Sequence, residues 1–274
     1  MNLPRVGPSS VLEAMRYSIV AGGKRLRPVL VIAVAETMGL ENDSIVDLAS
    51  SLEYIHTYSL IHDDLPAMDN SDLRRGKPTC HRVYGEAIAI LAGDALLTLA
   101  FETVAKYGRQ NRKTENALRI ITELAAASGT AGMVGGQVFD LEAEKIKPEL
   151  AQINKISEMK TGALLKAAVL CGAIAAGATE SEKKALTVYA ENIGTAYQIV
   201  DDLLDYESTV EILGKPTGAD RARSKATYPA VLGIEEAKKR AEDLYSRSVT
   251  ALGNINRPTE LLESLAKKMV FRKM

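Results

Sequence analysis

Two apolar stretches limit what this chain can fold into. Ala163–Ala178 is apolar or glycine at every position except Lys166, and Asp94 interrupts the similar run Ala87–Phe101. A helix that is apolar nearly all round belongs at the centre of a large helical domain. The uninterrupted pieces are shorter than the roughly 20 residues a membrane span needs, so no membrane span is expected. No strong strand pattern appears. Val29–Ala35 is a β-branched run, but Pro28 suits a helix start and Gly39 a stop, which predicts a helix over about 28–38. Further helices are expected over about 10–21, 43–64, 85–106, 114–128, 130–143, 149–158, 160–176, 180–206, 235–251 and 259–272, punctuated by glycine and proline. With no composition shift, long linker, repeat or low-complexity segment, the expectation is one all-α domain spanning residues 1–274.

Charge narrows the function classes. Lys+Arg is 34 and Asp+Glu is 35, a net charge of -1, whereas a dedicated nucleic-acid binder carries a basic excess. Cys80 and Cys171 cannot make a disulfide framework for a chain of 274 residues and read as buried thiols in a reducing compartment. Met1-Asn2-Leu3-Pro4-Arg5 has no apolar signal core behind it, so a cytoplasmic location is expected.

Two acidic clusters sit inside apolar helical patterns, where an unpaired carboxylate is costly. The first is His62-Asp63-Asp64-Leu65-Pro66-Ala67-Met68-Asp69 and the second is Gln198-Ile199-Val200-Asp201-Asp202-Leu203-Leu204-Asp205. Asp201 and Asp205, four apart, share a helix face, with Gln198 near the same stripe and Asp202 about 100° round. Asp63 and Asp69 would diverge on a continuous helix. Pro66 should end it and swing Asp69 back toward Asp63. Hard oxygen ligands of this kind suit Mg²⁺ held by one or two carboxylates plus substrate phosphates.

Cations flank both clusters. Gly22-Gly23-Lys24-Arg25-Leu26-Arg27-Pro28 is a glycine turn with three cations at a helix start, a favourable place for an anion. Asp72-Leu73-Arg74-Arg75-Gly76-Lys77-Pro78 follows the first cluster. Lys160-Thr161 opens an apolar helix, so its cation needs an anionic partner or a route to solvent. Gly214-Lys215-Pro216 and Lys225-Ala226-Thr227-Tyr228-Pro229 follow the second cluster. Carboxylates with flanking cations are the layout for a magnesium-bound diphosphate.

These motifs, in this order and spacing, resemble the trans-isoprenyl diphosphate synthases, from about Leu12 to the C-terminus. The resemblance implies an all-α orthogonal helical bundle around a central cavity, a homodimer, and three Mg²⁺ ions. It implies that an allylic diphosphate (dimethylallyl or geranyl) ionises and that isopentenyl diphosphate attacks the cation. Carried over by position, Asp63, Asp64, Asp69, Asp201 and Asp205 resemble the magnesium carboxylates. Arg74, Lys160 and Lys215 resemble the allylic diphosphate ligands, with Thr161, Gln198 and Lys225 around them. Lys24, Arg27, His56 and Arg75 resemble the isopentenyl diphosphate site. Asp63, Asp69, Asp201, Lys160 and Arg74 are the residues expected to carry catalysis. His62 and His81 read as packed residues, and Asp94 and Glu53 stay unassigned. Tyr197 stands where the family usually has Phe, and Ala226 replaces a common Ser. The N-terminal segment is short for the family, which bears on dimer contacts.

Residues just before the first cluster floor the tail pocket in this family. Here they are Tyr58 and Ser59, and a ring at Tyr58 points to farnesyl diphosphate as the product. The alternative is a geranylgeranyl diphosphate synthase. A terpene cyclase would not need Lys24, Arg27, His56 and Arg75, and a non-catalytic synthase subunit would lack one Asp cluster.

Overall fold

The computed structural model describes residues 3–4, 6–40, 43–143, 149–213 and 227–272, with the side chains of 207–213 not described. Lys215 and Lys225 therefore lie outside the described residues. The fold is all-α, apart from one short β-ribbon. Its helices fall into two compact units: Met1–Ile32 with Glu41–Thr122, and Ala33–Leu40 with Glu123–Met274.

The first unit is built on α3 (Ser44–Asp63) and α5 (Glu86–Gln110), which pack along each other, with α1 (Ser9–Val20) against them. Leu48, Leu52 and Ile55 of α3 and Ala89, Ala92, Leu96 and Ala100 of α5 are essentially inaccessible to water. Each large apolar side chain buried this way contributes about 1.5–3 kcal/mol. α2 (Leu26–Thr37) begins two residues before Pro28, so that proline lies in the first turn, where its missing N–H does no harm. α5 continues past Gly108 to Gln110, further than the sequence suggests. Among the described residues it is the helix long and apolar enough to cross a membrane by length and composition. Asp94 still divides its apolar run into short pieces, as the sequence shows. Its alanine face is packed on α3 in the manner of a core helix.

Between α3 and α5 lie three short elements the apolar pattern did not announce. Leu73–Arg74 (β1) and Lys77–Pro78 (β2) pair antiparallel, Leu73 opposite Pro78 and Arg74 opposite Lys77. The two residues joining them, Arg75 (φ 55°) and Gly76 (φ 75°), are both left-handed, as a tight primed hairpin turn requires. The short helix α4 (Cys80–Tyr84) follows, and it buries His81 beside Thr79 as a packed residue.

The second unit is organised by α10 (Glu180–Leu213), which packs on α12 (Ile234–Leu252), α9 (Ala163–Ala175) and α13 (Glu260–Val270). Thr179 and Glu182 cap α10 reciprocally, with Thr179 N donating to Glu182 Oε2 at 2.7 Å and Glu182 N to Thr179 Oγ1 at 3.2 Å. Leu186, Tyr189, Ile193, Ala196 and Leu203 form its buried stripe, and Tyr189 Oη donates to the Leu262 carbonyl at 2.9 Å. Also in this unit are α6 (Thr114–Ser128, begun in the first unit), α7 (Met133–Ala143), α8 (Leu150–Ile156) and α11 (Tyr228–Leu232). Where one helix was expected to open at Lys160, Ser157–Gly162 forms a π-helical turn joining α8 to α9. Such turns are rare and favour functional sites, because the wider coil re-aims its side chains.

Candidate active site

In the first unit the acidic cluster is a closed turn. α3 stops at Asp63, and Pro66 sits in the turn that follows. Met68 N then donates to Leu65 O at 2.9 Å, Asp69 N to Asp63 O at 2.9 Å, and Ser71 N to Asp64 O at 3.2 Å. The chain thus doubles back and joins Asp69 to Asp63 through the backbone, as the proline implied. Asp69 is exposed and Asp63 half-buried.

Asp64 points elsewhere. It is 3% exposed, and Arg74 holds it: Nε lies 2.9 and 2.8 Å from its two oxygens and Nη2 lies 2.7 Å from Oδ1. Partial burial works against the Arg74 charge. The hydrogen bond and charge of Asp64, with Asp63 and Asp69 behind it, outweigh that and raise its pKa. Two residues the sequence assigns separately, one to metal and one to diphosphate, are here bound to each other.

The basic arm of the same unit converges on His56. Arg25 bonds the buried carboxylate of Glu53 on α3 and the Ile19 carbonyl, which anchors the Gly22–Arg27 loop onto that helix. Arg75 donates to the Gly22 carbonyl. Burial, and then the charges of Arg27, Arg75, Arg74 and Arg25, hold the His56 imidazole well below its ordinary pKa, so it is neutral at pH 7. Four guanidiniums acting on one neutral ring make a site that an anion would complete. Lys24 is exposed at the edge of this loop. Tyr58 is 7% exposed, with burial raising its phenol pKa, and Ser59 is half-buried with its hydroxyl on the His56 carbonyl at 2.9 Å.

In the second unit a cavity of about 190 Å³ gathers Lys160, Thr161, Gln198 and Asp205 with Asp140, Asp202 and Tyr228. Lys160 Nζ bonds Asp140 Oδ2 at 2.6 Å, Thr161 Oγ1 donates to Gln198 Oε1 at 2.8 Å, and Gln198 Nε2 donates to Asp202 Oδ1 at 2.8 Å. The Tyr228 amide supplies a second donor to Asp202 at 3.0 Å. Gln198 thus serves Asp202, four residues on, in the cavity that Asp205 also lines. Burial is the main force raising Asp202 to a pKa of about 6. The Tyr228 and Gln198 donors oppose it, and the Asp201 and Asp205 charges add to it.

Two residues of this region escaped the sequence reading. Asp140 is the anionic partner that Lys160 required. Its signal was Gly135-Gly136 on α7: a Cβ at Gly136 would come within 2.2 Å of the Lys160 backbone nitrogen, so only glycine lets α7 press against the π-turn. Arg272, beyond α13, donates from Nη2 to Asp201 Oδ1 at 2.8 Å and to Tyr197 O at 3.1 Å, with its guanidinium 4.3 Å over the Tyr197 ring. In the first unit Glu53, left unassigned from the sequence, is the buried partner of Arg25.

The donor set fits Mg²⁺. Asp63 and Asp69 are hard oxygen donors tied into one turn, and Asp201 and Asp205 lie one helical turn apart. Among the described residues no three His, Cys, Asp or Glu side chains converge into a self-sufficient metal cage. Magnesium bound through one or two carboxylates with phosphate completing its shell needs no such cage.

Comparison with known proteins agrees with this chemistry. A family model described as polyprenyl synthetase matches residues 8–262. The chain is 47% identical to the farnesyl diphosphate synthase of Escherichia coli, over 96% of this chain and 89% of that one. It is 50% identical to the geranylgeranyl diphosphate synthase of Cyanophora paradoxa, over 88% and 80%. The crystal structure of an FPP/GFPP synthase from Zymomonas mobilis superposes with a TM-score of 0.86 at 38% identity, over 98% and 91% of the two chains. The chain belongs to the polyprenyl synthetase family.

Proposed function

We propose that this protein is a magnesium-dependent prenyltransferase that joins isopentenyl diphosphate to dimethylallyl and geranyl diphosphate, giving farnesyl diphosphate. The whole chain acts as one catalytic domain, and as a homodimer in the cytoplasm. Both cysteines being buried free thiols suits a reducing compartment. The observation that carries the reading is the neutral His56 amid four arginines, in the same unit as the Asp63–Asp69 turn. That pairing of an anion site with a carboxylate turn is what a two-diphosphate reaction needs.

Asp63, Asp69, Asp201 and Asp205 would hold the metal, three ions in all, with Asp64 joining them if Arg74 turns to substrate. Magnesium, when bound, supplies charge neutralisation to the leaving diphosphate. Arg74, Lys160 and Lys215 hold that diphosphate, with Thr161, Gln198 and Lys225 beside it. Lys24, Arg27, His56 and Arg75 hold isopentenyl diphosphate. The allylic C–O bond breaks and its electron pair leaves with the diphosphate. The double bond of isopentenyl diphosphate attacks the cation, and the released diphosphate takes the proton that restores the alkene. The cations add preorganised charge where the leaving group develops it, the largest single catalytic contribution in such sites. Tyr58, with Ser59, floors the tail pocket and stops growth at fifteen carbons. A geranylgeranyl product is the second reading, supported by the similarity to the Cyanophora enzyme.

Asp63→Ala and Asp201→Ala test the assignment. Each should cost at least about 10²–10³ in rate while the protein stays folded. Turnover within a few-fold of the parent in either variant would remove that residue from the chemistry.

A further inference from the structure

We infer that His62, held by the α5 backbone, is a positioning residue for Tyr58 and thereby helps to set product length. The inference rests on the reading of Tyr58 as the floor of the tail pocket. Tyr58 and His62 lie four apart on α3, on one face of the helix. Their rings meet edge to face, with centroids 5.7 Å apart and planes at 77°. His62 Nε2 is 3.0 Å from the Ile90 carbonyl on α5. A carbonyl only accepts, so the ring proton is on Nε2 and the imidazole orientation is set by α5 rather than by α3.

The packing leaves the ring little choice. Gly93 of α5 lies directly against it, and a Cβ there would come within 2.2 Å of Nε2. Asp94 Oδ1 is 4.0 Å from the same nitrogen but is largely exposed, so it adds little. The imidazole is therefore wedged between the α5 backbone on one side and the Tyr58 ring on the other. Tyr58 is buried, and among the described residues its aromatic partner is the His62 ring. If Tyr58 stops the growing tail, the work of resisting that tail passes through His62 to α5.

The test compares product distributions from Tyr58→Ala, His62→Ala, Gly93→Ala and the double variant Tyr58→Ala/His62→Ala, using full-length protein, Mg²⁺, geranyl diphosphate and excess isopentenyl diphosphate. An aromatic pair of this kind corresponds to about a 2- to 12-fold change in an equilibrium or partition ratio. His62→Ala should therefore raise the ratio of twenty- to fifteen-carbon product by about that factor. Gly93→Ala evicts the ring from Ile90 without altering α3, and it too should change the ratio. The double variant should make no longer product than Tyr58→Ala alone, because both act through one ring. A role in stability alone would lower the melting temperature and leave the ratio untouched. If Tyr58→Ala lengthens the product while His62→Ala and Gly93→Ala both keep the parental ratio, the role of His62 is overturned. If Tyr58→Ala itself changes nothing, it is the gatekeeper reading that fails.

Discussion

Arg74→Met separates two roles that the sequence assigned to different residues. The substitution keeps much of the aliphatic stem but removes every donor from Asp64. That carboxylate is 4% exposed in its side chain and accepts three close contacts from one guanidinium, at 2.7 to 2.9 Å. Removing one partner of a buried pair leaves an uncompensated charge, which costs about 3–5 kcal/mol. Arg74 is 31% exposed, so water can follow the lost side chain, and the expected loss is nearer 2–3 kcal/mol. Asp64→Asn/Arg74→Met should recover most of that stability, because no carboxylate is then stranded. Urea unfolding followed by circular dichroism reads both variants. If Arg74 also holds diphosphate, the double variant stays slow although it is stable again. An unfolding free energy for Arg74→Met within about 0.5 kcal/mol of the parent would refute the claim that this pair supports the turn.

Three further outcomes follow from the geometry. His56 should titrate well below 6.5 in the free protein, and its pKa should rise when inorganic diphosphate and Mg²⁺ are added, because an anion offsets Arg27, Arg75, Arg74 and Arg25. Proton–nitrogen correlation spectra of labelled histidine measure this, and an unmoved pKa would remove His56 from the anion site. Since its folded pKa is depressed below the unfolded one, the unfolded chain binds the extra proton, and His56 lowers stability as pH falls below about 6.5. Asp202 has the opposite sign: its pKa is raised from 3.8 to about 6, so the folded state holds the extra proton, and stability from this group is lost as pH rises from about 4 through 6. Asp202→Asn should flatten that slope, by at most about 3 kcal/mol, in melting curves across pH 4–7. Gly136→Ala should cost about 1–3 kcal/mol by overpacking α7 against the π-turn, and should weaken allylic substrate binding through Lys160. Normal stability and a normal KM together would show that the turn does not depend on that close approach.

Much of this fold was legible from apolar periodicity and its glycine and proline breaks: α3, α6 and α10 start within a residue of the expected 43, 114 and 180. What was not legible depends on contact between distant residues. The Arg75-Gly76 hairpin needs two left-handed residues, and arginine gives no advance sign of that conformation. The π-turn at Ser157–Gly162 exists where α7 presses in at Gly136, a tertiary cause that residue spacing does not encode. The same holds for the site. Asp63, Asp69 and His56 stand out by spacing. Asp140, Glu53 and Arg272 matter because of what they touch, and the Asp64–Arg74 pair joins residues ten apart across a turn, which spacing does not announce.

The account turns on chain elongation. Purified protein incubated with Mg²⁺, labelled isopentenyl diphosphate and geranyl diphosphate should yield labelled farnesyl diphosphate, and chelating the metal should stop it. A cyclic hydrocarbon formed without incorporation of isopentenyl diphosphate, or no turnover from a folded protein with metal and both substrates present, would contradict it.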